Sequence, residues 1–330
     1  MAAHLSAFSE PGGVVVDSRW TQPVLRSVRM GLDANAQRFT GFAGLYDGVR
    51  PTPPATLAEV LRAYAGGGHP RVVVDLGSGT GLSTRWAATW ADRVIGVEPS
   101  ADMRARASSA GEKSSIDYRA GWSHDTGLVS GSADVVLAVQ ALHWMDPSPT
   151  FEEAARLLRP GGVFAAVDCD FPPIVGSAPA EAAWRRCRGT VRVYEERLAA
   201  GLTGDELRTA LGEAARTLPV HFGRDAPKGR QMAEGVQSWS KDEHLTRMTD
   251  SGRFAFTTEL AMTASEMGDA DRFVGLLRSQ GDFQTLRKHG LDDKLLGLAD
   301  FEVAVRDALG DGPRPFWFTY RIRVGVTGST

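Results

Sequence analysis

A chain of 330 residues, 42% of them hydrophobic and 23% charged, can form a large core, and its length favours one α/β domain with a sizeable insertion. A formal net charge of -3 excludes the strong basic field that sequence-independent nucleic-acid binding requires. The sequence contains no run of 18 apolar residues, so it predicts no membrane-spanning helix. Its two cysteines are too few for a disulfide framework.

Short apolar runs alternate with helical patterns after a leader, residues 1–38, in which we expect some helix around residues 23–30. A continuous apolar run at residues 133–139 is typical of a central parallel strand buried on both faces. The predicted strands are residues 72–74, 93–97, 116–120, 133–139 and 163–167, and the predicted helices are residues 55–65, 82–89, 100–109 and 151–158. This order predicts a doubly wound parallel sheet with its ligand site beyond the carboxyl ends of the strands.

The second half of the chain is less regular. Its predicted helices are residues 179–199, 202–219, 236–250, 269–279 and 292–309, its predicted strands are residues 254–263 and 316–326, and residues 222–231 resemble a loop. Two late strands bring the sheet to seven. We therefore expect a core at residues 39–169, a helical cap insertion at residues 170–235, and the C-terminal part of the core sheet at residues 236–330.

The first predicted strand ends in a glycine-rich bend. Residues 72–81 read VVVDLGSGTG, in which Asp75 follows the apolar residues and Gly77, Gly79 and Gly81 occupy alternate positions. Glycines suit such a bend because they adopt backbone angles closed to other residues and let a ligand approach the main chain. A short strand, a tight turn and a helix start are therefore predicted here.

The spacing of this bend separates its possible ligands. A dinucleotide motif would place a third glycine where Leu82 stands, and a phosphate loop would need a lysine, which is absent between Ala65 and Glu112. A carboxylate at Asp75 would repel phosphate but attract an ammonium group. S-adenosylmethionine carries such an ammonium group and no phosphate.

A second carboxylate stands where a nucleoside would require it. Glu98 ends the second predicted strand, 17 residues beyond Gly81, and two acceptor oxygens match the two hydroxyl donors of a ribose. At this point the chain resembles the class I S-adenosylmethionine-dependent methyltransferases. Residues 73–81 fit the first motif of that family at every position. The resemblance implies a Rossmann-like sheet whose last strand is antiparallel, and it implies S-adenosyl-L-methionine as the cofactor.

Two further strings resemble a small-molecule branch of that family, which includes trans-aconitate methyltransferases. They are residues 140–146, QALHWMD, after the fourth strand, and the pattern at Tyr46-Asp47 and Arg50-Pro51, a segment that folds over the cofactor in that branch. The string by which DNA amine methyltransferases hold a flipped base is missing from residues 140–146. We therefore expect a small-molecule substrate, with no nucleic acid and no membrane as partner.

The candidate cofactor-binding residues lie on the predicted edge of the sheet or in the segment over it. They are Tyr46, Arg50, Asp75, Gly77, Ser78, Gly79, Gly81, Glu98, Pro99, Met103, Trp122, Ser123 and Gln140. One departure from the family follows the third strand, where an acid often receives the adenine amine but this chain reads Gly121-Trp122-Ser123-His124-Asp125. Trp122 is expected to stack on adenine instead, with Asp125 as a displaced substitute.

Methyl transfer from a sulfonium is an in-line displacement, so the protein contributes mainly by alignment in a dry pocket. His143 is the first candidate for a base or orienting group and Tyr46 the second, since a hydroxyl acceptor must lose a proton. Trp144, Trp184 and Arg188 are candidate substrate contacts. His143 as a packing residue and Arg188 as part of a solvated helix face remain open interpretations.

Three functions are consistent with these residues. The first is methyl transfer to a small molecule, such as a specialised metabolite. The second is carboxyl O-methylation of a small polyacid, which arginines such as Arg188 on the insertion helix would bind. The third is a catalytically inactive partner subunit that binds the cofactor only. The sequence leaves the oligomeric state open. It also lacks a signal peptide and a metal-ligand pattern, so we expect a cytoplasmic protein without a metal.

Overall fold

The computed structural model describes residues 35, 43–111, 113–211, 230–231 and 236–329. Outside them lie the predicted leader, apart from Asn35, the predicted helix at 23–30, the end of the predicted helix at 202–219, and most of the predicted loop at 222–231.

Seven strands form one twisted sheet in the order β3-β2-β1-β4-β5-β9-β8. The strands are β1 (Val72–Leu76), β2 (Arg93–Val97), β3 (Ile116–Arg119), β4 (Ala133–Val139), β5 (Leu158–Cys169), β8 (Phe256–Gly268) and β9 (Arg314–Val326). Strands β1 to β5 are parallel, and β9 pairs antiparallel with both β5 and β8. The prediction of a doubly wound, mostly parallel seven-stranded sheet with an antiparallel last strand is confirmed.

Helices cover both faces of this sheet. They are α1 (Ala43–Val49), α2 (Ala55–Tyr64), α3 (Leu82–Ala87), α4 (Ala101–Ser109), α5 (Pro147–Leu157), α6 (Ala178–Ala199), α7 (Gly204–Leu211), α8 (His244–Asp250), α9 (Ala270–Arg278), α10 (Gly281–Lys288) and α11 (Leu298–Leu309). Two short strands, β6 (Arg230–Gln231) and β7 (Gln237–Ser238), form a separate hairpin.

The apolar runs of the central strands serve two cores because successive side chains point to opposite faces. Val73 and Val135 join one core, which continues through α2, α6, α9 and α11. Val74 and Val136 join the other core, in which Phe151 of α5 is also buried. The packing on both faces leaves the carboxyl edge of the sheet as the place where polar loops meet.

Several predicted bounds shift in the structure; the helix predicted over residues 292–309, for example, begins only at Leu298. Two segments depart further from the prediction. The helix predicted over residues 236–250 begins only at His244, because Gln237 pairs with Gln231 in the hairpin and residues 241–243 form a 3₁₀ turn. Helix α10 was not predicted, since only Phe283 and Leu286 mark its apolar face in a sequence that begins with glycine. Tertiary contacts, rather than local periodicity, decide both segments.

Candidate functional site

A cleft of about 1190 Å³, including the solvent at its mouth, runs along the carboxyl edge of the sheet. The structure brings twelve of the predicted site residues together in its walls. They are Tyr46, Arg50, Gly77, Ser78, Gly79, Glu98, Pro99, Met103, Trp122, Ser123, Gln140 and Trp144. Five others, Asp75, Gly81, His143, Trp184 and Arg188, do not line it.

The glycine bend between β1 and α3 forms the centre of the cleft. Gly77, Gly79 and Gly81 all have positive φ angles, of 66°, 54° and 79°. A Cβ atom at Gly77 would lie 2.6 Å from the Met145 side chain, and one at Gly81 would lie 2.1 Å from the Tyr118 hydroxyl oxygen. At Gly79 no described atom beyond the two neighbouring residues lies within 4 Å of the added Cβ, so this peptide is the one of the three that is open to a ligand.

Asp75 lies beneath the bend instead of in the cleft. Its side chain is fully buried, and its Oδ2 accepts hydrogen bonds of 2.7 Å from the hydroxyls of Ser83 and Thr84. Burial raises the pKa of Asp75 to about 6 against the effect of these two hydrogen bonds. Asp75 thus holds the start of α3 under the bend through Oδ2, while its buried Oδ1 has no hydrogen-bond partner among the described residues.

Glu98 faces the cleft from the end of β2. Its Oε2 accepts a hydrogen bond of 3.0 Å from the Gly79 amide, and its Oε1 accepts one of 2.9 Å from the Ser100 amide. Burial raises the pKa of Glu98 in spite of these two amides. The carboxylate is thereby fixed beside the open peptide, with acceptor capacity left on both oxygens.

The far side of the cleft, beyond β3, is closed by the turn that begins at Trp122. The amide of Trp122 donates to the Asp125 carbonyl, and the amide of Asp125 donates to the Trp122 carbonyl, each at 3.1 Å. The Ser123 hydroxyl lies 2.8 Å from the Thr150 hydroxyl. Trp122 lines the cleft but Asp125 does not, so the structure favours an aromatic over an acidic contact at this end.

Helix α1 lies over the glycine bend. The Asp47 carboxylate accepts hydrogen bonds from the Thr80 hydroxyl at 3.0 Å and from Arg85 at 2.7 Å. Arg50, just after the helix, donates to the Ser279 hydroxyl and carbonyl, and its guanidinium stacks between the rings of Tyr46 and Phe171. Burial lowers the pKa of Arg50, yet this group stays charged because its ordinary pKa is so high.

Gln140 follows β4 with a positive φ of 52°, which is uncommon for a residue with a side chain. Both ends of its amide are held. The Nε2 group donates to the Cys169 carbonyl at 2.8 Å, and Oε1 accepts from the Lys241 ammonium at 2.8 Å. This residue is thus fixed in the wall between the bend and the end of β5.

A buried ionic cluster lies behind Gln140, and sequence reasoning missed it. Asp168 on β5 contacts Lys241 at 3.0 Å, His244 at 3.3 Å and Arg323 on β9 at 2.8 Å. Burial alone would raise the pKa of Asp168, but Lys241 and the two histidines hold it well below its usual range. Arg323 is fully buried in this cluster, although it stands between the apolar residues Ile322 and Val324 in the sequence of β9.

His143 belongs to this cluster and not to the wall of the cleft. Its Nδ1 lies 3.6 Å from the Asp168 carboxylate, and its ring lies 4.7 Å from that of Trp144. Burial and the Lys241 charge lower the pKa of His143 to about 3. The side chain is therefore neutral near pH 7, and its place behind the wall of the cleft favours the packing interpretation over the base.

The two expected substrate contacts on α6 also lie elsewhere. Trp184 is buried against the rings of Phe273 and Phe301, and the Arg188 guanidinium forms an ion pair with Asp282. In the described part of the chain, no group of three or more acidic, histidine or cysteine side chains is arranged to hold a metal. No described helix combines the length and the apolar character needed to cross a bilayer.

Residues 74–166 match the family profile "Methyltransferase domain". An uncharacterized methyltransferase of Mycobacterium tuberculosis is 37% identical over 126 residues, which are 38% of this chain and 49% of that protein. A Saccharomyces cerevisiae protein named as a probable S-adenosylmethionine-dependent methyltransferase is 29% identical over 126 residues, which are 36% of this chain and 43% of that protein. The chain spans about half the length of the curated relatives it matches.

Among solved structures, a candidate type II methyltransferase from Anaeromyxobacter dehalogenans superposes with a TM-score of 0.54 at 26% identity. The superposition covers 85% of this chain and 99% of that one. This coverage extends the similarity from the matched residues to most of the fold.

Proposed function

We propose that this chain, which carries the cofactor-binding domain of a class I S-adenosylmethionine-dependent methyltransferase, transfers the cofactor's methyl group to a small-molecule acceptor. The observation that carries the proposal is the pairing of Gly79 with Glu98. An open peptide at positive φ and a fixed carboxylate 3.0 Å away form one surface, suited to an unphosphorylated nucleoside.

The residues present fit three parts of that cofactor, namely the ribose, the adenine and the methionyl carboxylate. Glu98 accepts hydrogen bonds from the ribose hydroxyls, and Trp122 offers a flat face to the adenine. Arg50 supplies a buried positive charge for the carboxylate of the methionyl group, since its described partners at Ser279 are neutral. These roles use residues that follow β2, β3 and α1, so the bound cofactor would tie the end of α1 to the sheet.

When bound, S-adenosyl-L-methionine supplies a methyl group on a sulfonium that a nucleophile displaces. The protein's part is to align the acceptor with that methyl and to exclude water. Gln140 and Trp144 form the wall beside the bend, and the Asp168 cluster holds Gln140 through Lys241. His143 takes part as a neutral group that packs against Trp144 rather than as a base.

A small polyacid is the less favoured acceptor. That alternative relied on arginines such as Arg188, but this guanidinium is engaged by Asp282 and does not line the cleft. A partner subunit without catalytic activity would share the cofactor site. The proposed function therefore depends on transfer, and binding alone does not distinguish the two.

The test is transfer of label from radiolabelled S-adenosylmethionine to a panel of small acceptors by the purified chain. Transfer by the wild type that is reduced at limiting cofactor in Glu98→Gln, but unchanged in the exposed control Glu59→Gln, would support the proposal. Cofactor binding without transfer to any acceptor, or transfer to a protein or nucleic acid instead, would contradict it.

A further inference from the structure

The cleft extends past the part that the proposed cofactor would occupy. In the strand order, Glu98 follows β2, the glycine bend follows β1 and Gln140 follows β4. The sheet continues through β5 and β9, where Cys169 is paired with Tyr320. These two residues and Phe171 line the same cleft. We name this part, between Gln140 and Tyr320, the β5–β9 end.

The β5–β9 end is lined by apolar and aromatic residues, which are buried except for the half-buried Phe171. Val167, Cys169 and Phe171 come from β5 and the chain just after it, Tyr320 from β9, and Pro51 and Pro53 from the segment above. The Tyr320 hydroxyl donates to the Thr52 carbonyl at 2.8 Å, and burial raises the pKa of this phenol far above its ordinary value. Burial also raises the pKa of the Cys169 thiol to about 12. Both groups are therefore neutral near pH 7.

Among the described residues that line the cleft, the positive charge is that of Arg50, and it is already engaged. Arg50 donates to Ser279 and is stacked between Tyr46 and Phe171, and the proposed cofactor would bring its own carboxylate to the guanidinium. A ligand with several carboxylates would lose its hydration here with no further cation to receive it among the described lining residues. A flat apolar ligand would gain by leaving water.

We propose that the β5–β9 end binds the flat, uncharged, apolar body of the methyl acceptor against Phe171 and Tyr320. This inference rests on the proposed function, whose cofactor half it takes as occupied. It makes Phe171 a specificity-determining residue, because its ring forms part of the wall and also stacks on Arg50.

The experiment titrates two probes into the full chain saturated with S-adenosylhomocysteine. The probes are 2-naphthol, which is flat and uncharged at pH 7, and citrate, which is a polyacid. We expect 2-naphthol to bind and citrate to give no heat. Phe171→Ala should weaken the affinity for 2-naphthol about tenfold. Phe171→Leu keeps apolar bulk without a flat face, so its affinity should fall between those of the wild type and Phe171→Ala.

Ile174→Ala is the matched control, because Ile174 is an apolar residue of the same segment, 54% exposed and outside the cleft lining. It should bind 2-naphthol as the wild type does. Binding of citrate in place of 2-naphthol, or equal 2-naphthol affinity in the wild type and Phe171→Leu, would overturn the inference. If S-adenosylhomocysteine itself does not bind, the proposed function fails, and the same titration without it still tests the β5–β9 end.

Discussion

Two alanine substitutions in the glycine bend should separate ligand binding from folding. At Gly79 the added Cβ meets no atom of the described residues beyond its two neighbours within 4 Å, so the cost is that of placing alanine at φ 54°, about 1 kcal/mol. At Gly81 the same conformational cost is joined by a contact of 2.1 Å with the Tyr118 hydroxyl oxygen. Moving that ring brings the expected loss to about 2–4 kcal/mol.

The two variants should therefore rank in opposite order in two assays. Urea denaturation should show the larger loss of unfolding free energy for Gly81→Ala. Calorimetry with S-adenosylhomocysteine should show that Gly79→Ala, although well folded, loses at least about tenfold in affinity, because its methyl group occupies the space of the ligand. Wild-type affinity in Gly79→Ala would refute the assignment of this peptide to the cofactor.

Three other substitutions test parts of the site. Burial lowers the pKa of His143 to about 3, so this group should not titrate near pH 6.5. The profiles of kcat/KM against pH should therefore have the same shape near pH 6.5 in the wild type and in His143→Gln. The pKa of Asp75 is raised to about 6 in the folded state, so the folded protein holds a buried charge once this carboxyl ionises. The free energy of unfolding should therefore fall by up to about 3 kcal/mol as the pH rises from about 4 to 6. Urea denaturation of Asp75→Asn should lack that decline; a decline equal to the wild type's would locate it elsewhere. Asp47→Ala should release α1 from Thr80 and raise KM for the cofactor several-fold in initial-rate measurements. An unchanged KM would mean that this contact does not position α1.

The sheet was predictable where the sequence signal is local. Strands β2 and β4 match their predicted bounds because each is a short apolar run between polar or glycine residues. The same reasoning located the cleft, since parallel strands bring the residues after them to one edge. It also gave Glu98 and the bend, which lie close together in the sequence and in space.

The remainder of the site depends on contacts between distant segments. Asp168, Lys241 and Arg323 belong to three segments, and nothing in their local sequence indicates that they meet. Asp75 was placed in the cleft because its neighbours in sequence lie there. A strand residue alternates in direction with its neighbours, and the packing of Ser83 and Thr84 turns its carboxylate beneath the bend.

The central claim is that the bend and Glu98 hold an unphosphorylated nucleoside with an amino-acid tail. Its most direct measurement is calorimetric titration of the purified chain with S-adenosylhomocysteine and, separately, with NAD. We predict one-to-one binding of S-adenosylhomocysteine that Glu98→Gln weakens about tenfold, and no heat with NAD. Heat with NAD and none with S-adenosylhomocysteine would contradict it.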